Sequence, residues 1–571
     1  MKCGTAASHR RSSTTGLRDE GVGPLVQTGR MQPISRRNLL IGGAALAITA
    51  CSDDSEGGTS TASPDTTEPT TNAPANTVTS TTAAPTTTEA TVELSGDPFT
   101  LGVASGDPDA SGVVLWTRLA PDPLNGGGMP ADDVPVTWEI SATEDFADIA
   151  ASGNEVATAT YGHSVHAVVT LEPGRWFYRF VVGSYISPVG ITQAAPANDV
   201  PVASVRFAAA SCQDYSDGYY AAHRDIAEQA PDFVVWLGDY IYESGQSSTP
   251  TIADRTHLGI EPTTLPEYRD RYALYKADPQ LQAAHAACPW FVIWDDHEVE
   301  NNYATLTPQN LDDSAGFEAR RFAAYQSWWE HQPVRLPPPS SPQEEYRIYR
   351  DAQWGDLVEL ALLDGRQYRN DQACGDAQLN LDPPCPETFE ATRTMLGAEQ
   401  EQWLLDTLAA STAAWNVVGN QVVLADATFN SAVLNYDQWD GYQPARQRLL
   451  QGIDELAIGN LVVVTGDIHL AAVAQLRNGA PGVGTPVGVE FVTTSISSTG
   501  SIDDELTEVL RSFPDLLDAE LAHRGYTLHT VTPERWSAEY RIVTDVLDAD
   551  SALTVYGTYT VESGSNTVVS S

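Results

Sequence analysis

A run of apolar β-forming residues, FVVWL at 233–237, ends at Gly238 and is followed at once by Asp239 and then by Tyr242. Such a run predicts a strand that is buried on both faces, as in the parallel sheets of α/β proteins. Open sheets of this kind place their chemistry at the carboxyl ends of the strands. Asp239 and Tyr242 are therefore candidate ligands of one cation. The alternative is a capping aspartate beside an ordinary packed tyrosine.

The same pattern, an apolar strand followed by polar residues, recurs several times after residue 201. These strands alternate with helical patterns, which indicates a layered α/β domain over residues 201–571. Metal-type side chains at several strand ends indicate one converged site rather than isolated polar residues. The candidates that follow apolar strands in this way are Cys212, Asp239, Tyr242, Asp296, His297, Asp467 and His469.

Residues 92–200 have a different pattern of short alternating strands separated by Gly, Pro and Asp. Regular short strands with turn residues between them predict a small all-β sandwich of the immunoglobulin or fibronectin kind. A chain of 571 residues is too long for one core, so a sandwich beside a larger domain is the expected organisation. The sandwich sequence contains no cluster of titratable residues, which favours a structural role.

Residues 1–51 are the predicted signal region, in which the stretch from Ser35 to Cys51 is typical of an export signal. Arg36 and Arg37 precede a short apolar stretch, IGGAALAITA, and resemble a twin-arginine signal. The stretch ends at Cys51 in a sequence that resembles a lipobox, so we expect cleavage before Cys51, lipidation of that cysteine, and an exported product held at the cell envelope or released. An uncleaved apolar anchor is the alternative. Residues 52–91 are rich in Ser, Thr and Pro and predict a disordered linker.

Composition excludes several function classes. The formal net charge of -45 disfavours stable binding to nucleic acid, and it leaves the lipid anchor as the only expected membrane contact. Lys276 is the only lysine after Cys51, so the GKS or GKT sequence of a phosphate-binding P-loop is absent. The sequence also lacks the GxSxG and HExxH patterns of serine hydrolases and zincins.

The cysteines divide into separate roles. Cys374 and Cys385 bracket a loop rich in Gly, Pro and Asp, and in an exported protein we expect them to form a disulfide that contributes roughly 2 to 3 kcal/mol. Cys288 is expected to be a buried thiol. Cys212 is either a thiolate ligand or a plain buried thiol.

Several motifs in a fixed order resemble the PhoD-like alkaline phosphatase and phosphodiesterase family, which is more distantly similar to the purple acid phosphatases. The resemblance implies a calcineurin-like, four-layer α/β/β/α metallophosphoesterase domain behind the all-β sandwich. It also implies hydrolysis of phosphate esters as the function. The motifs are SCQ at 211–213, GDYIYE at 238–243, WDDHE at 294–298, LDGRQYR at 363–369, MLGAEQEQWL at 395–404, GNQVV at 419–423, DQWDGY at 437–442 and GDIH at 466–469.

The resemblance also implies a role for each candidate ligand. Asp239 is similar to the carboxylate that bridges two cations. Thiolate and phenolate ligands suit Fe(III), whereas carboxylates suit Ca(II), with Mg or Mn possible in its place. The implied iron ligands are Cys212, Tyr242 and His469, and those of the second site are Asp296 and Asp467.

The implied nucleophile is a hydroxide or oxide between the two metals, attacking phosphorus in line. His297 is the candidate that protonates the leaving oxygen; the alternative is a residue that orients a ligand. Arg366 and Arg446 are each a phosphate clamp or a structural ion pair. Asn420 or Gln421 is either a further metal ligand or a sheet residue whose side chain forms hydrogen bonds with the backbone.

Two other functions remain open at this point. A phospholipase D-like or nuclease-like phosphodiesterase would use the same metals, because loops rather than metals set access to such sites. A cell-surface binding protein would explain the lipid anchor, the linker and the sandwich, but not the ordered series of metal-type residues.

We predict export by the twin-arginine machinery and anchoring through acylated Cys51. The double substitution Arg36→Lys with Arg37→Lys should leave the precursor inside the cell, and Cys51→Ala should release or mislocalise the product. Cell fractionation and mass spectrometry of the mature N-terminus measure both outcomes. An unmodified Cys51 in the mature protein would contradict the anchor.

Overall fold

The computed structural model describes residues 93–377, 382–429, 431–500 and 510–570. The predicted signal region 1–51, its lipidation candidate Cys51 and the linker 52–91 lie outside these residues. Among the described residues, no helix combines the length and the apolar composition needed to cross a bilayer.

The N-terminal part of the described chain contains strands, turns and one short 3-10 helix, Ala159–Tyr161. Its strands are β1 (Val103–Asp109), β2 (Gly112–Arg118), β3 (Val134–Ser141), β4 (Ala151–Ala157), β5 (Ser164–Thr170), β6 (Gly174–Val182), β7 (Tyr185–Ile186) and β8 (Gly190–Ala194).

The rest of the described chain mixes strands and helices. The strands are β9 (Val205–Ala210), β10 (Phe233–Trp236), β11 (Trp290–Val292), β12 (Arg350–Trp354), β13 (Val358–Leu362), β14 (Trp415–Asn420), β15 (Leu461–Thr465), β16 (Ala471–Asn478), β17 (Thr485–Val492), β18 (Leu516–Glu520), β19 (Gly525–Val531), β20 (Arg535–Val543), β21 (Leu553–Glu562) and β22 (Val568–Ser570). The helices are α1 (Ala221–Gln229), α2 (Leu265–Lys276), α3 (Pro279–Ala287), α4 (Phe317–His331), α5 (Gly397–Ala410) and α6 (Gln443–Glu455).

Two large mixed sheets organise the molecule. The first has the order β22-β21-β20-β19-β9-β10-β11-β1-β2-β5, and the second has the order β12-β13-β14-β15-β17-β16-β18. Strands β9, β10 and β11 are parallel in the first sheet, and β13, β14, β15 and β17 are parallel in the second. A bridge between Ser211 and Ser495 joins the two sheets just beyond the carboxyl ends of β9 and β17. The two sets of parallel strand ends therefore lie close together.

Apolar residues on the two faces of the second sheet belong to two different core clusters. Val417 of β14 packs in one cluster with Phe207 of β9, so this core contains residues of both sheets. Its neighbour Val418 belongs to a second cluster with Leu404 of α5 and Leu449 of α6. Successive strand residues point to opposite faces, so a continuous apolar run serves both cores at once. The mixed sheets with packed helices agree with the predicted α/β class.

The N-terminal all-β region is continuous with the first large sheet. Strand β1 pairs in parallel with β11, with Gly106 opposite Trp290. A Cβ atom at Gly106 would lie 2.6 Å from the Trp290 carbonyl oxygen, so glycine permits this close pairing. The pairing covers the edge of β11, which would otherwise leave unpaired backbone groups. A separate sheet, β4-β3-β6-β7 with β8 paired to β6, packs its apolar side chains against β1, β2 and β5.

Candidate metal centre

The candidate ligands lie on short loops that leave the parallel strands. Four of them have left-handed backbone conformations, with φ of 59° at Cys212, 56° at Asp239, 69° at Asp467 and 55° at His469. Such conformations are uncommon for residues other than glycine and are found at sites where function imposes strain. Each loop therefore turns sharply at the candidate ligand and brings its side chain to the meeting edge of the two sheets.

The structure brings the predicted ligands together in three overlapping groups. Within each group, one candidate ligand atom per residue lies within 4.8 Å of the others. Asp239 is a member of two groups and Asp296 of two, which is the arrangement that shared carboxylate ligands require. The groups are Cys212, Asp239 and His469; Asp239, Asp296 and His297; and Asp295, Asp296 and Asp467.

The carboxylates of these groups are buried without enough protein partners. Among the described residues, Asp239 Oδ1, Asp295 Oδ2 and Asp296 Oδ1 have no hydrogen-bond partner. Burial raises the pKa of Asp239 well above its usual range, and the charges of Asp296 and Asp295 act in the same direction against the opposite effect of His297. Burial is the largest cause that raises the pKa of Asp467 to about 7, and the negative charges of Asp296 and Asp437 act in the same direction. Cations placed among these oxygens would supply the missing partners, so the residues present fit a metal centre.

Tyr242 adds a phenol to the first group, next to Asp239 and His469. The Tyr242 hydroxyl donates to Asp239 Oδ2 at 3.0 Å and lies 3.0 Å from His469 Nε2. The other ring nitrogen of His469 donates to the Thr499 carbonyl at 2.8 Å, which leaves Nε2 as the nitrogen with a free lone pair. Burial lowers the pKa of His469 to about 4, so the ring is neutral, as a metal ligand must be.

His297 is held by a carboxylate on the neighbouring loop. Its Nδ1–H donates to Glu243 Oε2 at 2.6 Å, and its ring lies 4.1 Å from the Tyr242 ring between centroids. Burial opposes the charge on His297, but Glu243, Asp296 and Asp239 outweigh it and raise the pKa of the imidazole well above its usual value. The side chain is 18% exposed, so a partner in the site can reach this ring.

Glu298 ties two ligand loops to each other. Its buried carboxylate accepts the backbone N–H groups of Asp239 at 3.1 Å, Tyr240 at 2.7 Å and Asp295 at 2.8 Å. The loops also approach closely at Gly238, whose φ is +115° and where a Cβ atom would lie 2.5 Å from the Asp295 Cβ. Glu298 belongs to none of the three candidate ligand groups, so its contacts point to a role in fixing the spacing between Asp239 and Asp295.

Arg366 neutralises part of the acidic cluster from within the protein. It is fully buried, hydrogen-bonds Asp295 Oδ1 through Nε, and forms a two-pronged ion pair with Asp437 at 2.9 and 2.8 Å. Its Nη2 lies 3.4 Å from Asp296 Oδ1. Burial disfavours a charged Asp437, but Arg366 and then Arg369 lower its pKa to about 2. These contacts favour the structural ion pair over a free phosphate clamp.

The remaining sequence candidates have other partners. Arg446 pairs with Asp426 at 3.0 Å and donates to the Leu424 carbonyl. The Gln421 amide donates to the backbone carbonyls of Trp294 and Leu363, and the Asn420 amide donates to the carbonyl of Val422. These contacts favour the structural alternative for all three residues.

The cysteines with predicted structural roles are also placed. Cys374 and Cys385 form a disulfide bond with Cα atoms 5.7 Å apart. Cys288 is a buried free thiol.

Sequence reasoning missed three residues of the site. Asp295 is not among the predicted ligands, and neither Glu298 nor Glu243 has a predicted role. The available signal was the density of acids in GDYIYE and WDDHE, two segments that directly follow apolar strands. Charged residues are rarely buried without partners, so each acidic residue in these two segments is a candidate for a role in the site.

Two mixed sheets that bring a thiol, a phenol, imidazoles and carboxylates to one edge define an α/β protein with a candidate metal centre of adjacent cation positions. The family model of the PhoD-like phosphatases matches residues 207–540, and that of the N-terminal domain of PhoD-like phosphatases matches residues 83–196. The chain belongs to the PhoD-like phosphatase family, as the motifs of the sequence predict.

Two known proteins support this assignment. Alkaline phosphatase D of Bacillus subtilis (strain 168) is 43% identical over 482 residues, which cover 82% of this chain and 82% of that protein. A solved structure described as that of PhoD is 42% identical and superposes with a TM-score of 0.80, covering 84% of this chain and 93% of that one.

We predict that Glu298→Gln loosens the two ligand loops. The amide would place a donor against backbone donors, and a buried mismatch of this kind costs about 1 to 3 kcal/mol. The temperature of thermal unfolding and the bound-metal content should both be lower than in the wild type. Glu318→Gln, at an exposed position of α4, is the matched control and should change neither. Wild-type metal content and stability in Glu298→Gln would contradict the positioning role.

Proposed function

We propose that the chain hydrolyses phosphate esters at the centre formed by these groups, within a four-layer α/β/β/α metallophosphoesterase domain over 201–571 that follows a β-sandwich over 92–200. Membership of the PhoD-like phosphatase family supports the reaction class, and the chain is accordingly a phosphoric ester hydrolase rather than a cell-surface binding protein. The observation that carries the proposal is the position of Asp239 in two adjacent ligand groups.

The donor atoms support different metals at the two positions. Cys212, Tyr242 and His469 surround one side of Asp239 with sulfur, phenol oxygen and imidazole nitrogen, a set that suits Fe(III). Asp295, Asp296 and Asp467 offer only carboxylate oxygens, a set that suits Ca(II), with Mg or Mn as substitutes. Asp295 extends the second set beyond the two aspartates that the sequence suggested.

Bound cations would supply positive charge for the phosphoryl oxygens and would lower the pKa of a water molecule that attacks phosphorus. The chain contributes the geometry. Asp239 would hold the two positions together, Glu298 fixes the loops, and Arg366 keeps Asp295 oriented through a buried ion pair. The left-handed loops at Cys212 and His469 direct their side chains to the same point before any substrate arrives.

His297 is the residue we assign to the leaving group. Its Nδ1 is held by Glu243, so Nε2 is the nitrogen that can donate a proton to the departing oxygen. The His297 ring also belongs to the candidate ligand group of Asp239 and Asp296. The alternative role for His297 is therefore that of a metal ligand.

The substrate proposal covers phosphomonoesters and phosphodiesters. A phospholipase D-like or nuclease-like diesterase is the second candidate, because the same cations serve both bond types and access to the centre distinguishes them. Stable nucleic-acid binding is not part of the proposal, since the net charge of -45 repels a polyanion. Export and anchoring through Cys51 remain proposals that rest on the signal sequence.

We predict that phosphate is released from both p-nitrophenyl phosphate and an alkyl phosphate, and that His297→Ala separates the two substrates. If His297 protonates the leaving oxygen, turnover of the alkyl phosphate should fall by roughly 10² to 10⁴. Turnover of p-nitrophenyl phosphate should fall much less, because nitrophenolate leaves without a proton.

Metal content measured on the same samples separates the alternatives. An acid role requires unchanged metal content in His297→Ala, whereas a ligand role predicts loss of metal and equal damage to both substrates. Equal losses of turnover on both substrates with all metal retained would contradict the acid role and the ligand role. Positioning of the phosphate would then be the remaining role for His297. A metal-loaded wild type that releases no phosphate from any monoester or diester would contradict the proposed function itself.

A further inference from the structure

The described residues of the loop closed by the Cys374–Cys385 disulfide, 374–377 and 382–385, connect to the second, carboxylate-rich part of the centre through Asn302. The two cysteines pack against a small apolar cluster formed by Ala373, Val433 and Tyr436. Tyr436 immediately precedes Asp437, which pairs with Arg366. The disulfide therefore anchors its loop one residue away from the ion-pair network of the site.

A second contact connects the loop to a candidate ligand. Asp376, inside the disulfide loop, accepts the Asn302 side-chain amide at 3.0 Å through Oδ2 and 3.2 Å through Oδ1. The backbone N–H of Asn302 donates to Asp296 Oδ2 at 2.6 Å. Asn302 is buried and has a left-handed backbone with φ of 54°, a conformation that needs support from its surroundings.

Gln372 supports Asn302 from the other side. Its amide donates to the Asn302 carbonyl at 2.9 Å and to Asp437 Oδ1 at 2.7 Å. Segment 372–376 thus holds both the side chain and the backbone of Asn302, while Asn302 holds one oxygen of Asp296. The other oxygen, Oδ1, is the one without a hydrogen-bond partner among the described residues.

We propose that segment 372–376, tethered by the Cys374–Cys385 disulfide, positions Asp296 for its cation, and that Asp376 is the positioning residue which transmits this support through Asn302. The inference rests on the proposed metal centre and deepens it. Such supporting partners of ligands typically change metal affinity or activity by 10- to 100-fold when removed. The group of Cys212, Asp239 and His469 has no contact with Asp376 or Asn302 in these networks, so iron binding should not depend on the loop.

The test uses purified wild type with iron retained and divalent cations removed by a calcium-selective chelator. Calcium alone is titrated by calorimetry into the wild type, Asp376→Ala, and the double variant Cys374→Ser with Cys385→Ser. Asp406→Ala is the control, because Asp406 is an exposed aspartate on α5 that contacts only Gln402 in the described hydrogen bonds. Iron content and thermal unfolding are measured on every sample.

We expect the calcium Kd to rise roughly 10-fold or more in Asp376→Ala and in the double variant, with iron content unchanged and with wild-type affinity in the control. An unchanged calcium Kd in Asp376→Ala would overturn the inference. Loss of iron together with calcium would overturn it as well, because the loop would then stabilise the whole fold.

The two proposals can fail separately in this experiment. A wild type that binds calcium but hydrolyses no phosphate ester would contradict the proposed function alone. A wild type that binds no calcium, magnesium or manganese would contradict both.

Discussion

The rest of the structure depends on the burial of several carboxylates that repel one another. Asp239, Asp295 and Asp296 are almost completely removed from water, and each retains an oxygen without a hydrogen-bond partner among the described residues. Isolated buried charges are strongly unfavourable unless an opposite charge accompanies them. Arg366 supplies one positive charge. The remaining acidity is the physical reason to place cations in the centre.

The protein holds these buried carboxylates in place with secondary-structure elements and polar contacts. Parallel strands from two sheets end at one edge, and their loops turn through left-handed residues directly at the ligands. Glu298 gathers three backbone N–H groups from two of these loops, and Arg366 links Asp295 to Asp437. The geometry of the candidate ligands is therefore supported by buried polar contacts within the protein, which favours a preorganised site.

The position of much of the candidate centre could be predicted, because runs of apolar β-forming residues indicate where each buried strand ends. That logic indicates Asp239 and Asp467, which the structure brings into the candidate groups, while their roles are implied only by the family resemblance. It could not find the role of Glu298, since the density of acids in WDDHE does not show that this carboxylate accepts backbone N–H groups from a distant loop. It also could not foresee that β1 extends the large sheet through Gly106, because sheet pairing across 184 residues depends on tertiary packing.

The central claim is that Asp239 joins an iron position to a second cation position. Metal analysis of the folded enzyme combined with its visible spectrum tests this most directly. The account predicts bound iron, a second divalent metal, and a charge-transfer band that Tyr242→Phe shifts or removes while the second metal stays. A colourless, iron-free preparation with full phosphatase activity would contradict it.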